Sequence, residues 1–118
     1  MVRDQSLDFQ PAIRHYRDGV LHREDGPAVE YSNGTMVWYI GGKKHRTDGP
    51  AIEYSSGKKC WCHNGEFHRL DGPAIERPDG RMDWYYFGKR FQISDVIGYE
   101  PKLPLTEEEQ FVIILSNS

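Results

Sequence analysis

Three histidines of this chain, His22, His45 and His68, stand 23 residues apart, and each is followed three residues on by an aspartate, Asp25, Asp48 or Asp71. A His–Asp pair can supply the base of a hydrolase or nuclease, and histidine with carboxylate is also a zinc ligand set. A second candidate is Cys60-Trp61-Cys62-His63. Both weigh less as chemistry than as structure, because one active site needs one constellation and not a ladder of identical pairs. If each copy sits on its own β-hairpin, successive histidines lie about 9.6 Å apart, two strand spacings. Two ligands of one zinc, at bonds of ~2.0–2.1 Å, must approach within about 4 Å. Along a strand, the thiols of Cys60 and Cys62 point to one face and His63 to the other, so only two of those ligands converge. No serine elbow, P-loop or dinucleotide fingerprint is present. The chain is therefore not read as an enzyme, and no catalytic residue, metal ligand or cofactor is assigned. A metal-assisted hydrolase using the His–Asp pairs stands as an alternative.

The elements that must carry these residues are repeats. HREDGPAVEYSNG (22–34) recurs as HRTDGPAIEYSSG (45–57) and HRLDGPAIERPDG (68–80), and Trp38, Trp61 and Trp84 keep the same step, as do Gly19, Gly42, Gly65 and Gly88. A fixed short period means a repeat architecture. Residues 1–18 read as a degraded capping half-repeat with His15 in the tryptophan position, 19–41, 42–64 and 65–87 as three repeats, and 88–118 as a C-terminal cap. With 118 residues this makes one domain.

Within a unit, Ala28–Tyr31 and Thr35–Ile40 are β-prone runs around Ser32-Asn33-Gly34, a hairpin signal. Pro78 in the third loop cannot take the positive φ of a type I′ turn, which leaves a type I turn closed by a glycine bulge. Counting outward pairs Tyr31 with Thr35, Glu30 with Met36, Val29 with Val37 and Ala28 with Trp38. Each alanine–tryptophan pair is expected to form a packed layer, and Arg23, Arg46 and Arg69 to fork onto Glu30, Glu53 or Glu76 while the aspartates hold turn amides. The fold expected is all-β, an antiparallel meander of tandem hairpins with a short C-terminal helix. That helix, about 107–115, opens on a Thr106–Glu109 capping box. Its apolar run is expected to cover the end of the sheet or to form a homodimer with a second copy.

A net charge of −3, from 15 basic and 18 acidic residues, leaves no basic stripe for a phosphate backbone, so nucleic acid is not an expected partner. No run of about 18 apolar residues and no apolar leader point to a membrane or to export. A cytoplasmic site with free thiols at Cys60 and Cys62 is the reading.

The 23-residue period, the glycine-closed hairpins and the recurring glycine and aromatic positions resemble the MORN (membrane occupation and recognition nexus) repeat over roughly residues 17–91. The HRxDGPAxE form is similar to repeats in uncharacterised phage and large-virus proteins. The resemblance implies an interaction scaffold: a small virus-encoded protein, in the host cytoplasm, that binds and modulates a host protein. A small-ligand or lipid-headgroup binder using Lys43-Lys44 and Lys58-Lys59 is the second alternative.

Positions that vary between copies point to the binding surface. Tyr39 and Tyr85, and likewise Tyr31, Tyr54 and Arg77, fall on the face opposite the tryptophans, and Tyr and Arg are favoured at interfaces. Val29, Ile52 and Ile75 share that face, which makes it a second packed layer on the alternative reading.

Overall fold

The structure, a computed structural model, describes residues 11–118. The portion of the N-terminal half-repeat expected over residues 1–10 lies outside them. An eight-stranded antiparallel sheet follows chain order through Ala12–Arg14, Val29–Tyr31, Met36–Val37, Ile52–Glu53, Lys59–Cys60, Ile75–Glu76, Met82–Tyr86 and Lys89–Phe91. The all-β meander of hairpins is thus the fold of the chain, in a plate measuring 49 × 35 × 20 Å.

The turn chemistry sets the register. The Tyr31 N–H donates to the Thr35 carbonyl (2.9 Å) and the Gly34 N–H to that of Tyr31 (3.0 Å), with Gly34 at φ +95°. The same bonds recur at Tyr54, Lys58 and Gly57 and at Arg77, Arg81 and Gly80. Asn33 and Asp79 each accept the amide two residues on, fixing their loops. Val29 then faces Val37 and Glu30 faces Met36, as the three-residue loop requires.

A second set of hairpins adds to those expected. Tyr16–Arg17 pairs with Val20–Leu21, Tyr39–Ile40 with Lys43–Lys44, Cys62–His63 with Glu66–Phe67, and Trp84–Tyr86 with Lys89–Phe91. Each of these hairpins closes on two residues with positive φ: Asp18-Gly19, Gly41-Gly42, Asn64-Gly65 and Phe87-Gly88. That is the type I′ turn, whose twist matches the flanking strands. The expected unit boundaries at 41/42, 64/65 and 87/88 therefore cut through turns, and the array runs on to Phe91. Deleting Gly42–Asn64 joins Gly41 to Gly65, which rebuilds a two-glycine turn. The shortened chain is expected to melt in one cooperative transition, as a nearest-neighbour array should, and loss of that transition on calorimetry would count against it.

The face opposite the tryptophans is a packed layer, as the alternative reading of that face has it. The register aligns Val29, Val37, Ile52, Cys60 and Ile75 in one row across the strands, and all five are buried. Tyr31, Tyr39, Tyr54, Tyr85, Leu21 and Phe67 pack against that row. Of the tryptophans only Trp84 is buried, at 6% exposure, while Trp38 and Trp61 are half-buried. Three equal tryptophan layers are thus corrected to one.

The C-terminal segment makes the difference. Two helices, α1 (Ile93–Ile97) and α2 (Glu107–Ser116), pack Ile93 and Ile113 with Leu105 around Trp84, and Leu70 joins them. Of these, α1 is additional to the single helix expected. The α2 capping box is present, with Thr106 accepting from the Glu109 amide (3.1 Å) and Glu109 from the Thr106 amide (2.9 Å). The Leu105 N–H donates to the Asp71 carbonyl (2.9 Å), tying the cap to the third turn. α2 therefore covers the last layer of the sheet, with Phe111 and Leu115 facing outward.

Candidate functional site

Each HRxDG turn is built around its arginine. Arg46 Nε donates to Asp48 (2.8 Å), and its Nη1 donates to the Pro50 carbonyl (3.0 Å) and to Glu53 (2.9 Å). Arg69 repeats the set on Asp71, Pro73 and Glu76, and Arg23 on Asp25, Pro27 and Glu30. The guanidinium of Arg46 lies 3.9 Å from the Trp38 ring centre and that of Arg69 3.8 Å from Trp61, each the tryptophan of the preceding unit. Arg23 instead meets His15, which holds the tryptophan position (3.2 Å). The arginine-to-glutamate forks are as expected, and the aspartates grip arginine Nε. A Cβ on Gly49 or Gly72 would come within 3.0 or 2.8 Å of the guanidinium carbon, so close approach selects glycine there. Arg46 and Arg23 hold the carboxyls of Asp48 and Asp25 below the usual aspartate range, through the hydrogen bond first and the charge second.

The histidines serve the same scaffold. Nδ1 of His22 accepts the Gly41 amide (2.8 Å), that of His45 the Asn64 amide (3.0 Å) and that of His68 the Phe87 amide (2.8 Å). Each ring thus anchors the type I′ turn of its unit, and its proton sits on Nε2. Among the described residues no histidine is hydrogen-bonded to an aspartate, and no group of three or more His, Cys, Asp or Glu is placed to hold a metal ion. His63, expected to face away from the thiols, has a contact of its own. It wedges between the other two rings, 4.7 Å from His45 and 6.0 Å from His68 between centres, and Phe87 stacks on His68 at 3.7 Å. Its equivalents are Ile40 and Tyr86, so the repeat carries no signal for this contact. Cys60 and Cys62 are free and buried, and burial pushes the Cys62 thiol up to about 11.

Burial, with the nearby His63 charge second, lowers the affinity of His45 and His68 for a proton. A histidine whose folded-state pKa is depressed contributes stability above its unfolded value, ~6.5, and loses it as pH falls through the folded value. The melting temperature is expected to fall between about pH 7 and pH 5.5. His45→Asn with His68→Asn, which keeps an acceptor for the turn amide without a proton to gain, is expected to flatten that fall in thermal melts. An unchanged slope would assign the acid sensitivity elsewhere.

The two faces differ. On the tryptophan face, two equivalent open grooves of about 660 and 690 Å³ lie between successive turns, floored by Trp38 and by Trp61. On the opposite face lie all five residues read from the sequence as a binding surface, Tyr31, Tyr39, Tyr54, Arg77 and Tyr85, all half-buried. The four tyrosines pack against the valine and isoleucine row, the arrangement that the packed-layer reading of this face describes. Arg77 is held by Asp83, which Arg90 also engages at 3.1 Å. Tyr85 rests 5.1 Å from Phe67. Among the described residues no apolar side chain beyond Tyr85 packs on this row, and the C-terminal helices pack around Trp84 instead.

No family model matches the chain, and no curated protein and no solved structure matches it. Among the described residues no helix is long and apolar enough to cross a membrane.

Proposed function

We propose that the chain is a protein-binding module whose recognition surface is the tyrosine face. The observation that carries this reading is a row of half-exposed tyrosines packed on a buried aliphatic layer, away from the C-terminal helices, which pack around Trp84. Tyrosine supplies large contact area with few rotatable bonds and a polar tip, the residue type that anchors interfaces. The resemblance to MORN repeats supports an interaction scaffold, and a virus-encoded module acting on a host protein is the form we propose. The hydrolase alternative is weakened, because the histidines and aspartates it would pair are engaged separately, by turn amides and by arginine.

Affinity purification from the source cell tests this with three chains: the unaltered one, Tyr54→Ala and Trp38→Ala. The bound protein is expected to be retained by Trp38→Ala and lost by Tyr54→Ala, with folding of both checked by circular dichroism. Loss on Trp38→Ala alone would move the surface to the grooves. Metal-dependent phosphodiester turnover abolished by His45→Ala would replace the reading with an enzymatic one.

A further inference from the structure

The tyrosine face carries cations beside its rings. The register sets Ala12, Tyr31, Thr35, Tyr54, Lys58 and Arg77 side by side across six strands, next to the buried row. Lys58 Nζ lies 5.5 Å from the Tyr54 ring centre, and Arg14, at the end of the aliphatic row, lies 6.0 Å from that of Tyr31. Lys44 pairs with Tyr39 at the position that Leu21 and Phe67 occupy in neighbouring units, and these two pack on the same cluster. Arg14, Lys44 and Lys58 make no ion pair among the described residues. The carboxylate on this face, Asp83, is engaged by Arg77 and Arg90. The tryptophan face is the reverse: each turn there sets two carboxylates against one arginine.

Building on the function proposed above, we infer that the tyrosine face binds an extended, acidic segment of a protein laid across the strands. Six strands span five intervals of about 4.8 Å, or roughly 24 Å. An extended chain covers this in about seven residues at ~3.4 Å each. Carboxylates of such a segment meet Arg14, Lys44 and Lys58, while its apolar side chains meet Tyr31 and Tyr54. The three cations are dispersed among rings and do not converge, which suits carboxylates along a chain better than one phosphate.

The test uses the full chain and three synthetic peptides of about seven residues: glutamate and leucine in alternating pairs, so that both types fall on one face of an extended chain, the same with glutamine, and the same with lysine. Binding is read by NMR shift mapping. The glutamate peptide is expected to shift Tyr31, Tyr54 and Lys58 and to bind at least about tenfold more tightly than the glutamine one, an advantage that shrinks in about 0.5 M salt. Lys58→Gln with Arg14→Gln, which removes two cations that hold no carboxylate among the described residues, is expected to abolish that advantage. Equal binding of the glutamine peptide at this face would overturn the acidic partner and leave the face as the surface. Shifts confined to Trp38 and Trp61 would overturn the face itself. Binding of none of the peptides at millimolar concentration, or tighter binding to anionic lipid vesicles or to an oligothymidylate, would also overturn the inference.

Discussion

Trp84→Ala is expected to cost about 3–5 kcal/mol in urea denaturation, the range for a buried aromatic truncated to alanine. The indole is enclosed by Ile93, Leu105 and Ile113, so its removal opens a cavity that two short helices must collapse to fill. Trp38→Ala is expected to cost clearly less, because that ring is half-exposed and is covered on one side by a guanidinium. The three tryptophans share one repeat position, so sequence alone would assign them equal losses. Equal measured losses would mean that the C-terminal helices do not enclose Trp84.

Arg69→Met is expected to cost about 2 kcal/mol, since hydrogen bonds to charged groups contribute ~1.5–3 kcal/mol when sheltered and less when wet. Arg69 is sheltered, with 18% of its side chain exposed, and one substitution removes its bonds to Asp71, Pro73 and Glu76 together with its stack on Trp61. Gly72→Ala is expected to be destabilising in the unaltered chain and much less so beside Arg69→Met, because the guanidinium its Cβ would meet is then absent. Such coupling is what a double-mutant cycle measures. Additive losses would show that the glycine is selected by the turn and not by the arginine.

Much of this is legible because the chain repeats itself. Pro78 excludes one turn type, the loop length then fixes the pairing, and the pairing puts Arg69 within reach of Glu76. The type I′ turns are written in Asn64-Gly65 and Gly41-Gly42, but their flanking strands are only two residues long, too short to show alternation. Phe87, at φ +43°, offers no turn signal at all and is held there by its bond to His68. Alternation tells which residues share a face, yet not which of the tryptophans is buried, since that depends on where the C-terminal segment lies. One residue does carry that information: Leu70 is apolar where Glu24 and Thr47 stand in the earlier copies, and it is the one that packs under the cap.

Because the apolar cap packs on the unit that carries Leu70, the number of units ahead of it is left open. Each further pair of strands would lengthen the tyrosine row by about 9.6 Å without disturbing either end. Copy number would then act as a ruler, setting in whole steps how long a segment the plate can measure off.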